Sequence, residues 1–260
     1  MDKQVRFETS GALGILTLTN PPLNLFSEEL IEDLRGAVNA AKQTPLRALM
    51  VRAEGKIFSG GADVRIFKGR TSAHARERVT SHLRTIVDLE ELPCPTVAAV
   101  QVLCLAAGLE LALACDLIWA GASARFAQAE ASIGTTTLLG GVQRLAERAG
   151  PSRAREIIYT ADQYDAATFE RWNIVNRVVS AESLHTEAEA FALKLAAGPT
   201  RAFAAVKSLL RAYERTAVLE TDKITVATVM PMMDSNDAVA AVTALMSAGP
   251  KRGPVTFTGA

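Results

Sequence analysis

Side chains that form disulfides, bind zinc or run nucleophile–histidine relays are scarce here: the 260 residues include three cysteines and three histidines. Cys94, Cys104 and Cys115 are odd in number and none sits in a C-x-x-C, so disulfide and zinc readings both fail. Two of them lie in an apolar run and read as small core residues. His74, His82 and His185 are scattered over polar segments, which gives little support to a metal cluster or a Ser-His-Asp triad. Net charge is missing too. Lys+Arg number 28 against 28 Asp+Glu, with a pI near 6.9, so there is no electrostatic footprint for nucleic acid. The stretch Met1–Phe7 has neither the apolar core of a secretory signal nor the Arg- and Ser-rich character of a transit peptide, so the expected compartment is the cytoplasm. No fixed-length repeat is visible.

What is present is a globular composition, 49% hydrophobic and 22% charged, long enough for one large domain or two small ones. The chain is organised around the apolar run Val97–Cys115, closed by Asp116 and carrying one acid, Glu110. Its length approaches a membrane span. Gln101, Gly108 and Glu110 interrupt it, Pro95 precedes it and an acidic residue follows, so no membrane association is expected. The residues read instead as a buried strand, Thr96–Leu103, turning at Ala106–Gly108 into a buried helix. Two readings of Glu110 stay open. It is a core acid neutralised or paired with a cation, or a working carboxyl beside turn N–H groups able to stabilise a developing oxyanion.

Taken in order, Leu13–Thr19 reads as a strand ended by Asn20-Pro21-Pro22, and Ser27 caps a helix with Glu28 and Glu29 in its first turn. Arg47–Ala53 is a second strand, followed by Gly60-Gly61, a pair that permits sharp turning and close approach to a ligand but equally suits a plain loop. Lys68–Glu91 is helical and polar. Asp116–Ala120 is a strand, and Phe126–Glu130 brings a second acid, Glu130, to the edge of an apolar turn. Arg144 opens a helix and reads as a surface or ion-pairing residue, ahead of a third catalytic group. Short helices at Pro151–Ala161 and Ala166–Trp172 precede a strand at Ile174–Val179. From Glu182 the pattern is helical only: Glu182–Ala197, Arg201–Glu214 and Val218–Ser247, the last expected to break at Pro231.

Six motifs in order then resemble the crotonase superfamily, the enoyl-CoA hydratase/isomerase family, over essentially the whole chain. They are N-P-P-L-N at 20–24, F-S-G-G-A-D at 58–63, G-L-E-L-A-x-x-C-D at 108–116, F-A-Q-A-E at 126–130, G-G-V-Q-R-L at 140–145 and K-R-x-P-x-x-F at 251–257. The resemblance implies an α/β fold: a spiral core of ββα units over 1–181 holding an acyl-CoA site, then a helical trimerisation region and CoA-contacting tail over 182–260. It implies a homotrimer or a dimer of trimers. No cofactor is implied, since coenzyme A is part of the substrate.

Carried over by position, the resemblance puts two oxyanion-hole N–H groups at Ala62 and Ala107, beside Gly60, Gly61 and Gly108. Asp63 and Val64 would line the CoA channel, with Leu23 and Leu25 near pantetheine and adenine, and Lys251 and Phe257 at the CoA end. Glu110 and Glu130 match the acids that hydrate a 2-enoyl thioester. One holds and deprotonates water at C3, the other delivers a proton to C2, and burial with mutual repulsion favours one shared proton. The chain departs from the family where N-G-x-A-x-G-G-G is replaced by Gln101–Gly108, which strains Ala107 if a positive φ is needed there. Leu138 stands where a glycine N–H helps place water. The leading expectation is an enoyl-CoA hydratase; the alternatives are a Δ3,Δ2-enoyl-CoA isomerase or other crotonase-type lyase or hydrolase, or a non-catalytic acyl-CoA binder. The pocket walls are expected from Lys68–Glu91 and Thr135–Leu139.

Overall fold

Strands buried on both faces need cover on both sides, and L-G-I-L-T-L, A-L-M-V-R-A and T-V-A-A-V are of that kind. The computed structural model describes residues 3–67, 72–216, 218–248 and 255–259. The chain begins with β1 (Val5–Ser10), β2 (Leu13–Leu18), α1 (Glu28–Gln43), β3 (Ala48–Ala53) and α2 (Ser72–Glu90). Next come β4 (Thr96–Val100), β5 (Leu103–Leu105), α3 (Ala107–Leu113), β6 (Leu117–Gly121), β7 (Arg125–Ala127) and α4 (Gly141–Thr160). It continues with β8 (Tyr164–Asp165), α5 (Ala166–Arg171), β9 (Arg177–Val179) and four helices: α6 (Leu184–Ala196), α7 (Thr200–Thr216), α8 (Val218–Met233) and α9 (Asn236–Ala248).

The larger sheet has the order β1-β2-β3-β4-β6-β9, parallel except for the β1–β2 pair. The smaller is β5-β7-β8. Twice, at β4–β5–α3 and β6–β7–α4, consecutive strands serve different sheets before a helix closes the turn, giving a ββα spiral core followed by helices. Side-chain alternation divides the core. Leu16, Leu18, Leu49, Val51, Ala98 and Val100 face α1 to α4, whereas Leu13, Ile15, Met50, Val97 and Trp119 face Leu184, Ala188 and Ala192 of α6.

Two expectations are corrected, at Thr96–Leu103 and at Pro231, and the structure adds elements that were not expected. The run Thr96–Leu103 is two strands, because Gln101–Val102 carries the chain from one sheet to the other, with Val102 at φ 50. Val5–Ser10 and Arg125–Ala127 are strands that local pattern did not reveal. Pro231 lies inside α8, and the break falls at Asp234–Ser235, whose hydroxyl accepts the Ala238 N–H at 3.1 Å. The first helix after Glu182, α6, packs on the larger sheet through Leu184, Ala188 and Ala192. Among the described residues no helix is long and apolar enough to cross a membrane.

Candidate active site

The site forms where two glycine-containing turns meet. Ser59 pairs with the β5 segment, its N–H donating to the Leu103 carbonyl at 3.0 Å while Leu105 N–H donates to its carbonyl at 3.0 Å. The Ser59 hydroxyl donates to the Asn24 carbonyl at 2.8 Å and accepts the Gly61 N–H at 3.0 Å, tying the loop before α1 to the same place. Gly61 adopts φ +93, and an added Cβ would stand 2.9 Å from Ala106 Cβ and 3.0 Å from the Leu105 carbonyl oxygen. Gly108 is equally constrained, since a Cβ there would meet Ser59 Cβ at 2.5 Å. These glycines permit the approach; a side chain at either would hold the turns apart.

Immediately after the touching pair Gly61 and Ala106 come Ala62 and Ala107. Both line a cavity of about 380 Å³. Among the described residues neither backbone N–H has an acceptor: the bonds around Ala62 use Gly61 and Asp63, and those around Ala107 use Ala106 and Glu110. Ala107 needs no positive φ; the positive φ belongs to its neighbour. Ala106, at φ 47 and ψ −120, takes the strained conformation, and Ala107 is an ordinary first residue of α3.

Glu110 and Glu130 line the same cavity. Glu110, in the fully buried first turn of α3, accepts the Leu139 N–H at 2.7 Å and the Gly141 N–H at 2.9 Å, both on Oε1. It has no cation partner among the described residues. Arg144 instead pairs with Glu90, Nη2 to Oε2 at 2.6 Å, which answers the expectation of an ion-pairing residue. Burial pushes the Glu110 carboxyl up to about 7, with the Glu130 charge adding to the rise; the Gly141 and Leu139 N–H groups and Arg144 oppose it. Burial also raises Glu130, against a backbone N–H that favours its charged form. With its amide oriented to donate, buried Gln128 reaches Glu130 Oε2 at 3.0 Å and Oε1 at 3.1 Å. The cavity thus holds two acids that resist double ionisation, together with unused N–H donors, within mostly apolar walls.

Of the other expected residues, Gly60 and Val64 line the cavity. Leu23, Leu25 and Asp63 line a neighbouring groove that shares Glu28 and Ile66 with it. The Asp63 carboxylate is held by Arg65, which keeps it below the usual carboxylate range. Gly61 and Gly108 shape the turns without lining the cavity. Phe257 does not line it either; its carbonyl accepts from Arg47 Nη1 at 3.1 Å, near Thr200 and Gly198. Lys251 lies outside the described residues. The walls come from α2 and from 135–139, as expected. Sequence reading missed Gln128, which sits inside a quoted motif without a role, and Arg78 and His82, which with Ala75 and Val79 follow an i, i+3, i+4, i+7 spacing that marks one helix face.

Residues 8–244 match the model of the enoyl-CoA hydratase/isomerase family. A Dictyostelium discoideum protein named "Probable enoyl-CoA hydratase, mitochondrial" is 34% identical over 212 residues, 80% of this chain and 76% of that protein. The crotonyl-CoA hydratase of Syntrophomonas wolfei is 31% identical over 193 residues, 73% of this chain and 74% of the relative. An enoyl-CoA hydratase subunit from Geobacillus kaustophilus superposes with a TM-score of 0.91 at 29% identity, covering 99% of this chain and 98% of its own.

Proposed function

The chain belongs to the enoyl-CoA hydratase/isomerase family, and on that premise we propose that it is a lyase adding water across the 2,3 double bond of a 2-enoyl-CoA thioester. The thioester oxygen accepts hydrogen bonds from the Ala62 and Ala107 N–H groups and gains negative charge as the enolate forms. One such donor is worth ~2.7–4 kcal/mol in other enzymes. Coenzyme A runs along the groove of Leu23, Leu25 and Asp63, and no further cofactor is needed.

Hydration requires one base and one acid. Glu110 and Glu130, titrating as a coupled pair, supply both when they share a single proton. The ionised carboxylate takes a proton from the water that attacks C3, the other carboxyl gives its proton to C2, and the pair ends with one proton as it began. Glu110 Oε1 is occupied by two N–H donors, so Oε2 is the oxygen free to hold water. Apolar walls keep bulk water from quenching the enolate. The observation that carries the reading is the placement of two acids of raised pKa in one cavity with two N–H groups lacking acceptors. The exposed apolar faces of α7 and α9 are proposed to be covered by assembly into a trimer or a dimer of trimers.

The test is loss of conjugated-thioester absorbance with crotonyl-CoA, for wild type beside Glu110→Gln and Glu130→Gln. Hydration by wild type and loss in both variants support the mechanism. Inertness toward short and long 2-enoyl-CoAs alike would overturn hydration, and 3-enoyl-CoA isomerisation surviving in Glu110→Gln would point to the one-acid alternative.

A further inference from the structure

A cation in the first turn of a helix opposes the helix dipole, and a buried cation is costly unless an anion meets it. Arg144 is in both positions: it lies in the first turn of α4 and is 6% exposed. Glu90, the last residue of α2, answers the charge with a bidentate pair, accepting from Nε at 3.0 Å and from Nη2 at 2.6 Å. The third nitrogen turns back on the start of its own helix. Nη1 donates to the Leu139 carbonyl at 3.1 Å and to the Gly140 carbonyl at 3.3 Å. Gly140 permits the approach, because it adopts φ +97 and a Cβ there would collide with Nη1.

The turn that Arg144 grips by its carbonyls is the turn that grips Glu110 by its N–H groups, those of Leu139 and Gly141. A trans peptide sends its carbonyl and its N–H in opposite directions. The unit joining Gly140 to Gly141 therefore has the guanidinium on its oxygen and the Glu110 carboxyl on its N–H, and each contact polarises the unit in favour of the other. Leu139 is held in the same sense, its N–H on Glu110 and its carbonyl on Arg144. Leu139 and Glu110 line the cavity and Arg144 does not, so the cation acts on the acid through this turn rather than by touching what the cavity holds. Burial and the Glu130 charge disfavour the ionised form of Glu110; the two N–H groups and the Arg144 charge favour it.

On the reading of Glu110 as a hydration carboxyl, we propose that Arg144 is a positioning residue: anchored by Glu90, it fixes the 139–141 turn so that Glu110 keeps Oε1 occupied and presents Oε2 to the attacking water.

Two full-length variants separate the charge from its anchor. Arg144→Met removes the cation and the clamp, whereas Glu90→Gln keeps the cation and removes the anion that orients it. On the best 2-enoyl-CoA, Arg144→Met is expected to lose ~10- to 100-fold in kcat, the scale of a catalytic group displaced by up to about 1 Å. Its KM should stay within about twofold, since uniform binding is untouched. Its pH profile should move up by about one unit, because losing a nearby positive charge disfavours the carboxylate. Glu90→Gln should lose ~3- to 10-fold in kcat without that upward movement. Folding is checked by circular dichroism. A folded Arg144→Met with wild-type kcat, or with reduced kcat and an unmoved profile, would overturn the proposal. If Arg144→Met does not fold, Glu90→Gln decides: lower kcat at unchanged KM supports the clamp, and wild-type kcat overturns it. Infrared titration of the protonated Glu110 carboxyl, assigned by its loss in Glu110→Gln, needs no turnover, and its midpoint should rise by about one unit in Arg144→Met. A risen midpoint in a protein that hydrates no 2-enoyl-CoA supports the hold of Arg144 on Glu110 while sinking hydration. An unmoved midpoint in a protein that does hydrate sinks this proposal alone.

Discussion

Gly61 and Ala106 touch: a methyl built on Gly61 would stand 2.9 Å from Ala106 Cβ. That contact sets the separation of the residues that follow, Ala62 and Ala107, and so the geometry of the two free N–H groups. Gly61→Ala should therefore act twice. Alanine at φ +93 costs ~1–2 kcal/mol of stability. The added methyl also drives the turns apart, and a displacement of about 1 Å in a catalytic constellation can cost ~100-fold in rate. A folded Gly61→Ala protein with wild-type kcat on its best 2-enoyl-CoA would refute the coupling.

Relief of strain runs the other way at Ala106, whose φ 47 and ψ −120 suit glycine better than alanine. Strain of this kind is worth ~1–3 kcal/mol, set against ~0.5–1 kcal/mol for the greater freedom of glycine in the unfolded chain. Ala106→Gly is expected to raise the melting temperature by ~2–4 °C, corresponding to about 1 kcal/mol in a chain of this size. Val102→Gly, at φ 50, should do likewise. An unchanged or lowered melting temperature in both variants would mean that the surrounding packing, not backbone conformation, dominates these turns.

These two positions mark how far the sequence could be read. An acid inside an apolar run and a glycine pair after a strand were both visible locally, and the six motifs joined them into one site. Local pattern could not show that Gln101–Val102 switches sheets, because strand propensity is continuous across the bend. Nor could it assign the positive φ to Ala106, which depends on how closely Gly61 approaches from far away in sequence. Val5–Ser10 was missed because an edge strand half open to solvent has few apolar residues to show. Arg78 and His82 looked like polar surface residues until α2 was laid across α1.

Glu110 should trade stability for activity. Its folded pKa of about 7 lies above the ordinary 4.5, so the stability it contributes is full below 4.5 and lost as pH rises through 7. Glutamine keeps an acceptor for the Leu139 and Gly141 N–H groups and carries no charge. Glu110→Gln is thus expected to be ~2–3 kcal/mol more stable than wild type at pH 8, with the gain vanishing near pH 4.5. Its kcat should fall ~100- to 10,000-fold. Urea titrations at the two pH values check the first part, and equal stability at pH 8 would show that Glu110 is not held under desolvation.

Gln128 bears on the other acid. Two N–H contacts from its amide favour the ionised form of Glu130, countering the burial that raises it. Gln128→Leu removes those donors, so the bell-shaped pH dependence of kcat/KM should move to higher pH, with kcat reduced about tenfold. A loss of kcat without movement of the profile would reduce Gln128 to a packing role.

On α7, Val206, Leu210 and Tyr213 are 56%, 54% and 52% exposed and recur at i, i+4 and i+7, so they form one apolar stripe facing away from the fold. On α9, Val239, Val242 and Met246 recur at i, i+3 and i+7 and are 56%, 49% and 83% exposed. Continuous apolar faces of this kind mark an interaction surface, and self-assembly would cover every copy at once. Light scattering should report three or six chains for wild type. Val206→Lys with Leu210→Lys places two charges in the stripe and should yield monomers with unchanged far-ultraviolet circular dichroism. If wild type is itself monomeric, the stripes are not a self-interface; if the double variant keeps its mass, the contact lies elsewhere on the helices.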